Sequence, residues 1–366
     1  MLLLVTLHRH FSAEAGGGDR GRALGAAQRD RIRLVSGVYD GLFALNGLGA
    51  ADVARHGADA LDRIGAFAPE LGVEIEGIAA GSGLPVETVA ALNARTEILA
   101  ASAGECSTIA CLGAMTASGS ALGIQTWDWH NELAEGWIVW TIEHPDGRRV
   151  ETMTEAGIVG KIGMNDRGVA VLLNILSHRD DGPPVGVPVH ILCRAVLDRA
   201  DGAVAALETI AAAEVSASSA ITVVTDEDGG AVCTVEVSPA GPGFVTPDDR
   251  GVLVQTNHFL EQPGRSGDTG VRDAPGTILR LDLARRRLAA MRPGQVTPEA
   301  VLHAMASHRG GSSAMCCHPQ PGDALGERWT TLATIVADPG ARELRVHRGG
   351  PCQIAAASTT AAAARQ

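Results

Sequence analysis

The chain has 366 residues, 45% of them apolar and 20% charged, with a formal net charge of −12 at pH 7. This balance is typical of a soluble globular protein, and the length allows one large domain or two ordinary ones around a substantial core. The acidic surface argues against nucleic acid or anionic membrane as the main partner, because both require a basic face. The apolar start of the chain, residues 1–10, is too short for a signal peptide or a membrane span, so we expect a first buried strand and a cytoplasmic protein.

The first third of the chain is patterned as helices. From about residue 20 to 105, apolar side chains recur at helical spacing in ADVARHGADALDRIGAF and in APELGVEIEGIAAGSG. We expect Gly81 and Gly83 to end the second of these helices and Pro85 to begin the next. The pattern changes abruptly at the 105/106 boundary.

Strands follow from residue 106 to about 176. They are separated by turn residues, and the PDG turn at 145–147 predicts a hairpin. The predicted strands are CSTIACL, SALGIQTWDW, GWIVWTIEH, RRVETMT and GVAVLLN.

The second half repeats the order of helices and then strands. Residues 188–214 are patterned as helix, and AITVVT and AVCTVEV as strands joined by the DEDGG turn. The rest is predicted in chain order as a loop at 261–276, helices near 277–291 and 298–307, a loop to about 327, and a closing hairpin of TLATIVAD with ELRVHRG. We expect the tail from about residue 354 to be disordered. Helices and strands in these blocks predict stacked sheets covered by helices.

Seven scattered cysteines show neither CxxC pairs nor a disulfide framework, which is consistent with a reducing compartment. The sequence CCHP at 316–318 resembles half of a metal site, with His303 and His308 nearby. No second ligand pair stands at metal spacing, so we predict no metal. Cys111 lies five residues after Cys106, on the opposite face of a continuous strand, and is expected in the core.

Cys106 opens the first strand after the helical region. A cysteine alone is weak evidence, because most cysteines are small core residues. Its context strengthens it, since Ser107 and Thr108 follow with hydroxyl groups. Asp128 lies some twenty residues further on, between Trp127 and Trp129. A carboxylate flanked by large apolar rings is costly to bury unless a cation or a hydrogen-bond donor meets it.

Several segments together carry a family resemblance. They are, in chain order, IEGIAAGSGLPVETVAALNARTE, ECSTIAC, QTWDWH, GKIGMNDRGVAVLLN, VQTNHFL and RWTTLATIVADPGARELRVHRGGPC. This set resembles the acyl-coenzyme A:6-aminopenicillanic acid acyltransferase family, self-processing cysteine members of the N-terminal-nucleophile hydrolase superfamily. The resemblance runs from about residue 70 to 352, with the motifs in the family's order.

The resemblance implies a precursor that cleaves itself between Glu105 and Cys106. The products are a small, mostly helical chain of residues 1–105 and a large chain of residues 106–366, which stay associated as one folded unit. The new α-amine, with a pKa of about 7.7–8.0 in model compounds, then takes the proton from the thiol of its own residue. Family members often have Gly or Asp before the cysteine, so Glu105 leaves the efficiency of cleavage open.

The resemblance also implies site residues. Asp128 matches an aspartate that orients the amine and the thiol, and Asn257 matches an asparagine whose NH₂ group helps to form the oxyanion hole. Arg328 matches an arginine near the nucleophile and is expected to pair with Asp128. Asn165 and Asn174 fall beside the pocket. The alternatives are a strand-end cap for Asp128, a turn residue for Asn257 and a surface cation for Arg328.

The tryptophans leave two interpretations open. Trp127 and Trp129, with Trp137 and Trp140, either line a pocket for an apolar acyl group or pack between sheet and helices, and we favour packing. No strand-to-helix GxGxxG or P-loop pattern is present, so no cofactor is expected and coenzyme A enters only as a substrate.

The fold that the resemblance implies is an α+β, four-layer αββα sandwich of two antiparallel sheets, with Cys106 at the end of a central strand. The implied reaction passes an acyl group from a small-molecule amide through a thioester on Cys106 to water, an amine or coenzyme A. The alternative is a non-catalytic small-molecule-binding protein that retains the fold. A homo-oligomer is compatible with either.

Overall fold

The computed structural model describes residues 7–99, 106–320 and 322–354, apart from the side chain of Ser312. The apolar residues at the very start of the predicted first strand, Glu105 of the predicted cleavage site, and the tail beyond residue 354 lie outside these ranges. The described residues form eleven α-helices and thirteen strands.

Helices precede the strand that Cys106 opens, as the sequence predicts, and six of them lie within the described residues. They are α1 (Gly17–Ala27), α2 (Arg29–Leu45), α3 (Ala50–Phe67), α4 (Pro69–Ser82), α5 (Val86–Asn93) and α6 (Arg95–Leu99). Gly83 ends α4 with a left-handed φ of +72°. Gly81 does not end it, since it lies within α4 against α1, where a Cβ atom would stand 2.2 Å from the Arg22 carbonyl oxygen. Its role is therefore close helix packing.

The larger sheet has eight strands. In order across the sheet they are β1 (Arg9–Ser12), β4 (Trp137–Glu143), β5 (Arg149–Glu155), β6 (Ile162–Asn165), β7 (Ala170–Ile175), β8 (Ser219–Thr225), β9 (Ala231–Val237) and β10 (Gly243–Val245). The predicted hairpin at 145–147 joins β4 and β5. β1 pairs with β4 in parallel, so the expectation of purely antiparallel sheets is wrong at this edge.

The smaller sheet has five strands and carries the predicted nucleophile. Its order is β11 (Val252–Gln255), β2 (Cys106–Cys111), β3 (Leu122–His130), β12 (Trp329–Asp338) and β13 (Glu343–Arg348), all antiparallel. Cys106 is the first residue of β2 and pairs with Trp127 of β3. Directly opposed residues share a face, so Cys106 and Trp127 point to one side and Asp128 to the other.

Helices cover the outer faces of both sheets. The predicted helical segment at 188–214 is divided at Gly202 into α7 (Val189–Arg199) and α8 (Ala203–Ala211), which pack on the larger sheet. The smaller sheet is covered by α10 (Gly276–Ala289) and α11 (Pro298–Met305), preceded by the short α9 (Gly270–Asp273) in the predicted loop. Because β2 and β3 contact β7 directly, the layers run helix, sheet, sheet, helix, which confirms the αββα sandwich.

Two apolar cores follow from this layering. The main core contains Trp127 and Cys106, whereas a second core beneath α10 and α11 contains Ile109 and Cys111. The prediction that Cys111 is a core residue on the other face from Cys106 is confirmed. Among the described residues, no helix combines the length and apolar character needed to cross a bilayer.

Candidate active site

The backbone of Cys106 is held by two polar side chains from outside β2. Its N–H donates to Asn257 Oδ1 at 2.9 Å, and its carbonyl oxygen accepts from Arg280 Nη1 at 2.8 Å. Arg280 Nη2 also donates to Asn257 Oδ1 at 2.9 Å. Asn257 lies just after β11, beside β2, and Arg280 reaches down from the covering helix α10. Asn257 and Arg280 are both buried, so Cys106 is fixed at its backbone N–H and at its carbonyl oxygen.

The contacts of Asn257 fix the orientation of its amide. Two N–H groups point at Oδ1, while Nδ2 donates to the Ile175 carbonyl oxygen at 2.8 Å. The amide oxygen therefore faces the nitrogen of Cys106, where an α-amine would form. One hydrogen of the NH₂ group is used on Ile175 and one remains, so the oxyanion-hole role of Asn257 stays a prediction.

The thiol of Cys106 is buried and protonated in the intact chain. Burial, and after it the charge of Asp128, raises the pKa of the thiol to about 12, although Lys161 and Arg280 act in the opposite direction. The thiol also has a hydrogen bond with the backbone of Asp128. Asp128 is thus near enough to act on the thiol by its charge, while its role in orienting an amine stays a prediction. A thiol in this state requires a base before it can attack a carbonyl group.

Lys161 belongs to a buried charged network behind the thiol. Its Nζ lies 3.0 Å from Glu155 Oε2 and 3.8 Å from the centre of the Trp127 ring. Arg95 Nη2 contacts the same carboxylate oxygen at 2.9 Å. Burial alone would raise the pKa of Glu155, but the two cations hold it well below its usual range. Burial lowers the pKa of Lys161 to about 8 despite the opposing effect of Glu155, so this amine titrates near neutral pH.

The tryptophans act mainly as packing residues. Trp127 is buried and meets Trp137 edge to face at 6.5 Å between ring centres, and the Nε1 of Trp129 donates to the Tyr39 hydroxyl at 2.8 Å. Trp129 also forms part of the wall of a narrow pocket with Thr96, Leu99, Ile175, Leu176, Ser177, Asp181 and Ala217.

Arg328 does not reach the predicted nucleophile, Cys106. Its Nη1 pairs with Glu132 Oε1 at 3.0 Å, and its side chain is 46% exposed. Its carbonyl oxygen accepts from the N–H of Asn131, three residues along the chain from Asp128, a separation of roughly 10 Å along a strand. The predicted pairing of Arg328 with Asp128 is wrong, and the alternative of a surface cation is correct. Arg280 is the arginine beside Cys106.

The two predicted pocket asparagines differ. Asn165 donates to the carbonyl oxygens of Leu197 and Ala200 and accepts from the N–H groups of Arg167 and Val169. Its side chain thus ties the turn after β6 to the end of α7, so the prediction that it lies beside the pocket is wrong.

Asn174 does lie at the interface between the two sheets. Its Oδ1 accepts from Thr108 Oγ1 at 2.6 Å, and Thr108 is two residues from Cys106 on the same face of β2. Its Nδ2 is buried with no hydrogen-bond partner among the described residues. Asn174 therefore remains a candidate donor near the site.

Two residues of the site escape analysis of the sequence alone. Arg280 stands 174 positions after Cys106, in an arginine-rich helix whose pattern resembles that of a solvated face. Lys161 stands inside the quoted segment GKIGMNDRGVAVLLN, where only its asparagines attract attention. The sequence offers one clue to these cations. Asp128 lies between two tryptophans, and a buried carboxylate needs a nearby cation, but the sequence does not identify that cation.

The sandwich, with a buried cysteine opening a central strand beside Asn257 and Arg280, agrees with the class of fold predicted from the sequence. Residues 115–351 match the model of the family described as acyl-coenzyme A:6-aminopenicillanic acid acyl-transferase. The chain therefore belongs to the acyl-coenzyme A:6-aminopenicillanic acid acyl-transferase family. The matched range contains Asp128, Asn257 and Arg280 and begins nine residues after Cys106.

One curated relative is the acyl-coenzyme A:6-aminopenicillanic-acid-acyltransferase 40 kDa form of Emericella nidulans. It is 34% identical over 196 residues, which are 53% of each chain, so the chain spans about half the length of that relative. Similar solved structures are penicillin V acylase from Agrobacterium tumefaciens and a mutant conjugated bile acid hydrolase from Clostridium perfringens. Each match is 13% identical in sequence and covers 66% of this chain. The match covers 83% of the penicillin V acylase chain with a TM-score of 0.40, and 92% of the bile acid hydrolase chain with a TM-score of 0.39.

Proposed function

We propose that the protein is a self-processing acyltransferase or amidohydrolase that uses Cys106 as an N-terminal nucleophile. The observation that carries the proposal is the arrangement around the first residue of β2. The nitrogen of Cys106 faces Asn257 Oδ1, its carbonyl oxygen faces Arg280, and its thiol lies within the electrostatic reach of Asp128 and Lys161. A core cysteine needs none of these polar groups.

The first proposed step frees the nitrogen of Cys106. The Cys106 sulfur attacks the carbonyl carbon of Glu105, the C–N bond to Cys106 breaks, and the proton of the thiol ends on the departing nitrogen. Water then hydrolyses the resulting thioester and releases the carboxylate of Glu105. Arg280 supports this step, because its hydrogen bond to the Cys106 carbonyl oxygen fixes the position of Cys106 while the thiol and the backbone nitrogen of that residue react.

The second proposed step uses the new α-amine as a base. In the intact chain the nitrogen of Cys106 is an amide without basicity, and burial holds the pKa of the thiol at about 12. An amine with a pKa of about 7.7–8.0 in model compounds accepts the proton of the thiol near neutral pH. Asn257 Oδ1, which accepts from the amide N–H at 2.9 Å, is equally placed to accept from the amine. Cleavage thereby replaces an amide nitrogen, which cannot take the proton of the thiol, by an amine that can.

The catalytic cycle then moves an acyl group from a small-molecule amide. The thiolate attacks the amide carbonyl, the amine product leaves with a proton, and an acyl-thioester remains on Cys106 until water, an amine or the thiol of coenzyme A takes the acyl group. The family and the name of the Emericella nidulans relative support acyl transfer as the class of reaction.

Intact mass spectrometry tests the processing step. Wild-type protein is expected as two chains of about 11 and 27 kDa, at roughly 0.1 kDa per residue of the 37.7 kDa chain. The Cys106→Ala variant is expected to remain whole. Cys111→Ala is the matched control, because Cys111 is a buried thiol of the same strand on the opposite face, and this variant should be processed.

Incubation with a panel of acyl amides, with and without an amine acceptor, tests the acyl step. Processed wild type should gain the mass of the acyl group on the large chain and release free acid or transferred product. An uncut wild type that persists, or a Cys106→Ala variant cut as fast as wild type, would remove the basis for the proposal. A cut protein that never takes up an acyl group would favour the binding-protein alternative.

A further inference from the structure

Four potential metal ligands from two distant parts of the chain converge beyond the end of β13. They are His308, Cys316, His318 and Cys352, and their ligand atoms all lie within 4.8 Å of one another. The sequence displays only the CCHP half of this group, and a second pair at metal spacing is absent from it. The fold supplies the missing ligands, His308 and Cys352. The chain comes back from β13 to the loop that holds His308, Cys316 and His318, which places Cys352 beside them.

The distances within the cluster match those of a tetrahedral metal site. Nε2 of His318 lies 3.3 Å from Nε2 of His308, 3.6 Å from Sγ of Cys316 and 3.5 Å from Sγ of Cys352. Tetrahedral zinc with bonds of about 2.3 Å to sulfur and 2.0–2.1 Å to nitrogen separates two nitrogens by about 3.4 Å and sulfur from nitrogen by about 3.6 Å.

Hydrogen bonding alone explains this arrangement poorly. A neutral imidazole nitrogen carries either one hydrogen or one lone pair, yet Nε2 of His318 faces three groups at hydrogen-bond distance. A single cation at the centre satisfies all four ligands at once. Two thiolates and a Zn²⁺ ion also sum to zero charge, so the buried Cys316 would belong to a neutral site.

The backbone around the cluster is fitted to it. A Cβ atom on Gly350 would lie 2.5 Å from Sγ of Cys316, so only glycine permits the segment before Cys352 to approach this sulfur. On the other side, the N–H of Cys317 donates to Thr331 Oγ1 at 2.9 Å and its carbonyl oxygen accepts from the N–H of Thr331 at 3.0 Å.

We propose that His308, Cys316, His318 and Cys352 bind one structural zinc ion that fastens the segment after β13 to the loop preceding β12. Four protein ligands of type Cys₂His₂ leave no open position, which is the mark of a structural site, and this donor set selects zinc over harder cations. Thr331 of β12, which is hydrogen-bonded to Cys317 in this loop, lies opposite Asp128 of β3 in the sheet. The ion would therefore restrict the motion of β12 next to Asp128.

Metal analysis of the tag-free, full-length protein tests the site directly. After exhaustive dialysis, wild type is expected to retain about one zinc per chain. His308→Ala and Cys352→Ser should each lose most of it. His303→Ala and Cys233→Ser are matched controls, because they remove an exposed histidine and a partly buried cysteine outside the cluster, and both should keep the ion. Cys106→Ala should also keep it, since this site does not depend on the proposed function.

Two further measurements keep the proposal testable if a variant fails to fold. Wild type reloaded with Co²⁺ should show the visible absorption of a tetrahedral thiolate complex. A chelator should lower the melting temperature of wild type and leave that of the Cys352→Ser variant unchanged. Wild type without zinc above the level of the ligand variants, or an intact mass lower by two hydrogens that shows a Cys316–Cys352 disulfide, would overturn it.

Discussion

Arg280 is buried and donates to the carbonyl oxygen of Cys106, to Ser107 Oγ and to Asn257 Oδ1. Hydrogen bonds from a charged donor contribute about 1.5–3 kcal/mol each when buried. We therefore expect Arg280→Met to slow self-cleavage by at least about tenfold, measured as the half-time for loss of the full-length band.

The matched control for this prediction is Arg328→Met. Arg328 is the arginine of the quoted motif, and its exposed ion pair with Glu132 is of the kind that contributes about 0–1 kcal/mol. The rate of self-cleavage should stay within about twofold of wild type. Slowing by Arg328→Met with no effect of Arg280→Met would reverse the assignment.

Glu97 carries a second prediction, on the pH dependence of stability. Burial raises the pKa of this carboxyl to about 7 from 4.5, and its Oε1 accepts from the N–H of Val189 at 2.8 Å. Below pH 4.5 the Glu97 carboxyl is protonated in both the folded and the unfolded state, so the folded state buries no charge there. Between pH 4.5 and 7 the unfolded state loses the proton first, so the free energy of unfolding falls, and above pH 7 the loss is complete.

Glu97→Gln should therefore stabilise the protein at pH 8, by at most about 3 kcal/mol, and have little effect at pH 4. Glutamine keeps an oxygen acceptor for Val189, so the hydrogen bond is preserved. Denaturant unfolding of variant and wild type across this pH range measures the difference. A gain that is the same at pH 4 and pH 8 would show that ionisation is not its cause.

At the scale of elements, buried ion pairs tie the N-terminal helices to the rest of the fold. Arg194 of α7 contacts Glu74 of α4 at 2.9 Å, with both side chains wholly buried, and Arg20 of α1 pairs with the same carboxylate. Removing Arg194 leaves Arg20 on Glu74 but also takes away the guanidinium that lies 2.8 Å from Asp198, so two buried carboxylates lose part of their compensation. We expect Arg194→Met to lower the free energy of unfolding by about 3–5 kcal/mol, measured by denaturant titration.

Arg199→Met is the control for this prediction. Arg199 belongs to α7 as well and pairs with Glu70 of α4, but both side chains are exposed, at 39% and 49%. Its removal should change the free energy of unfolding by less than about 1 kcal/mol. Equal losses in both variants would mean that contact between α7 and α4, rather than buried charge, is the important quantity.

At the scale of the whole molecule, the main core joins residues from both sides of the proposed cut. Leu71 and Ile75 of α4 belong to the same buried cluster as Trp140 of β4 and Leu197 of α7. Asn93 adds hydrogen bonds to the carbonyl oxygen of Gly157 at 2.9 Å and the N–H of Val159 at 3.0 Å. Separating the two parts would expose this surface to water.

We therefore expect the cleaved protein to elute from size exclusion as one particle that contains both chains. It should unfold in a single cooperative transition, and the chains should separate only in denaturant. Small chain that elutes on its own from native buffer would contradict this. The uncut Cys106→Ala variant provides the reference elution volume.

Local sequence determined the elements, because periodicity and turn residues act over a few positions. Such patterns predict the helical character of residues 20–105, the hairpin at 145–147, the closing hairpin of β12 and β13 and the opposite faces of Cys106 and Cys111. The resemblance of ordered motifs gave the family and the sandwich, and it drew attention to Cys106 and Asp128.

Only the tertiary structure decided which distant side chains meet. Arg280 reaches Cys106 across 174 residues, and Cys352 reaches Cys316 by the return of the chain through β12 and β13. Helical spacing cannot tell which of several arginines in α10 faces the sheet beneath it, and spacing along the chain cannot reveal ligands that converge from separate segments. The sequence therefore specified the strands and a candidate nucleophile, Cys106, while the packing of α10 decided which side chains surround that residue.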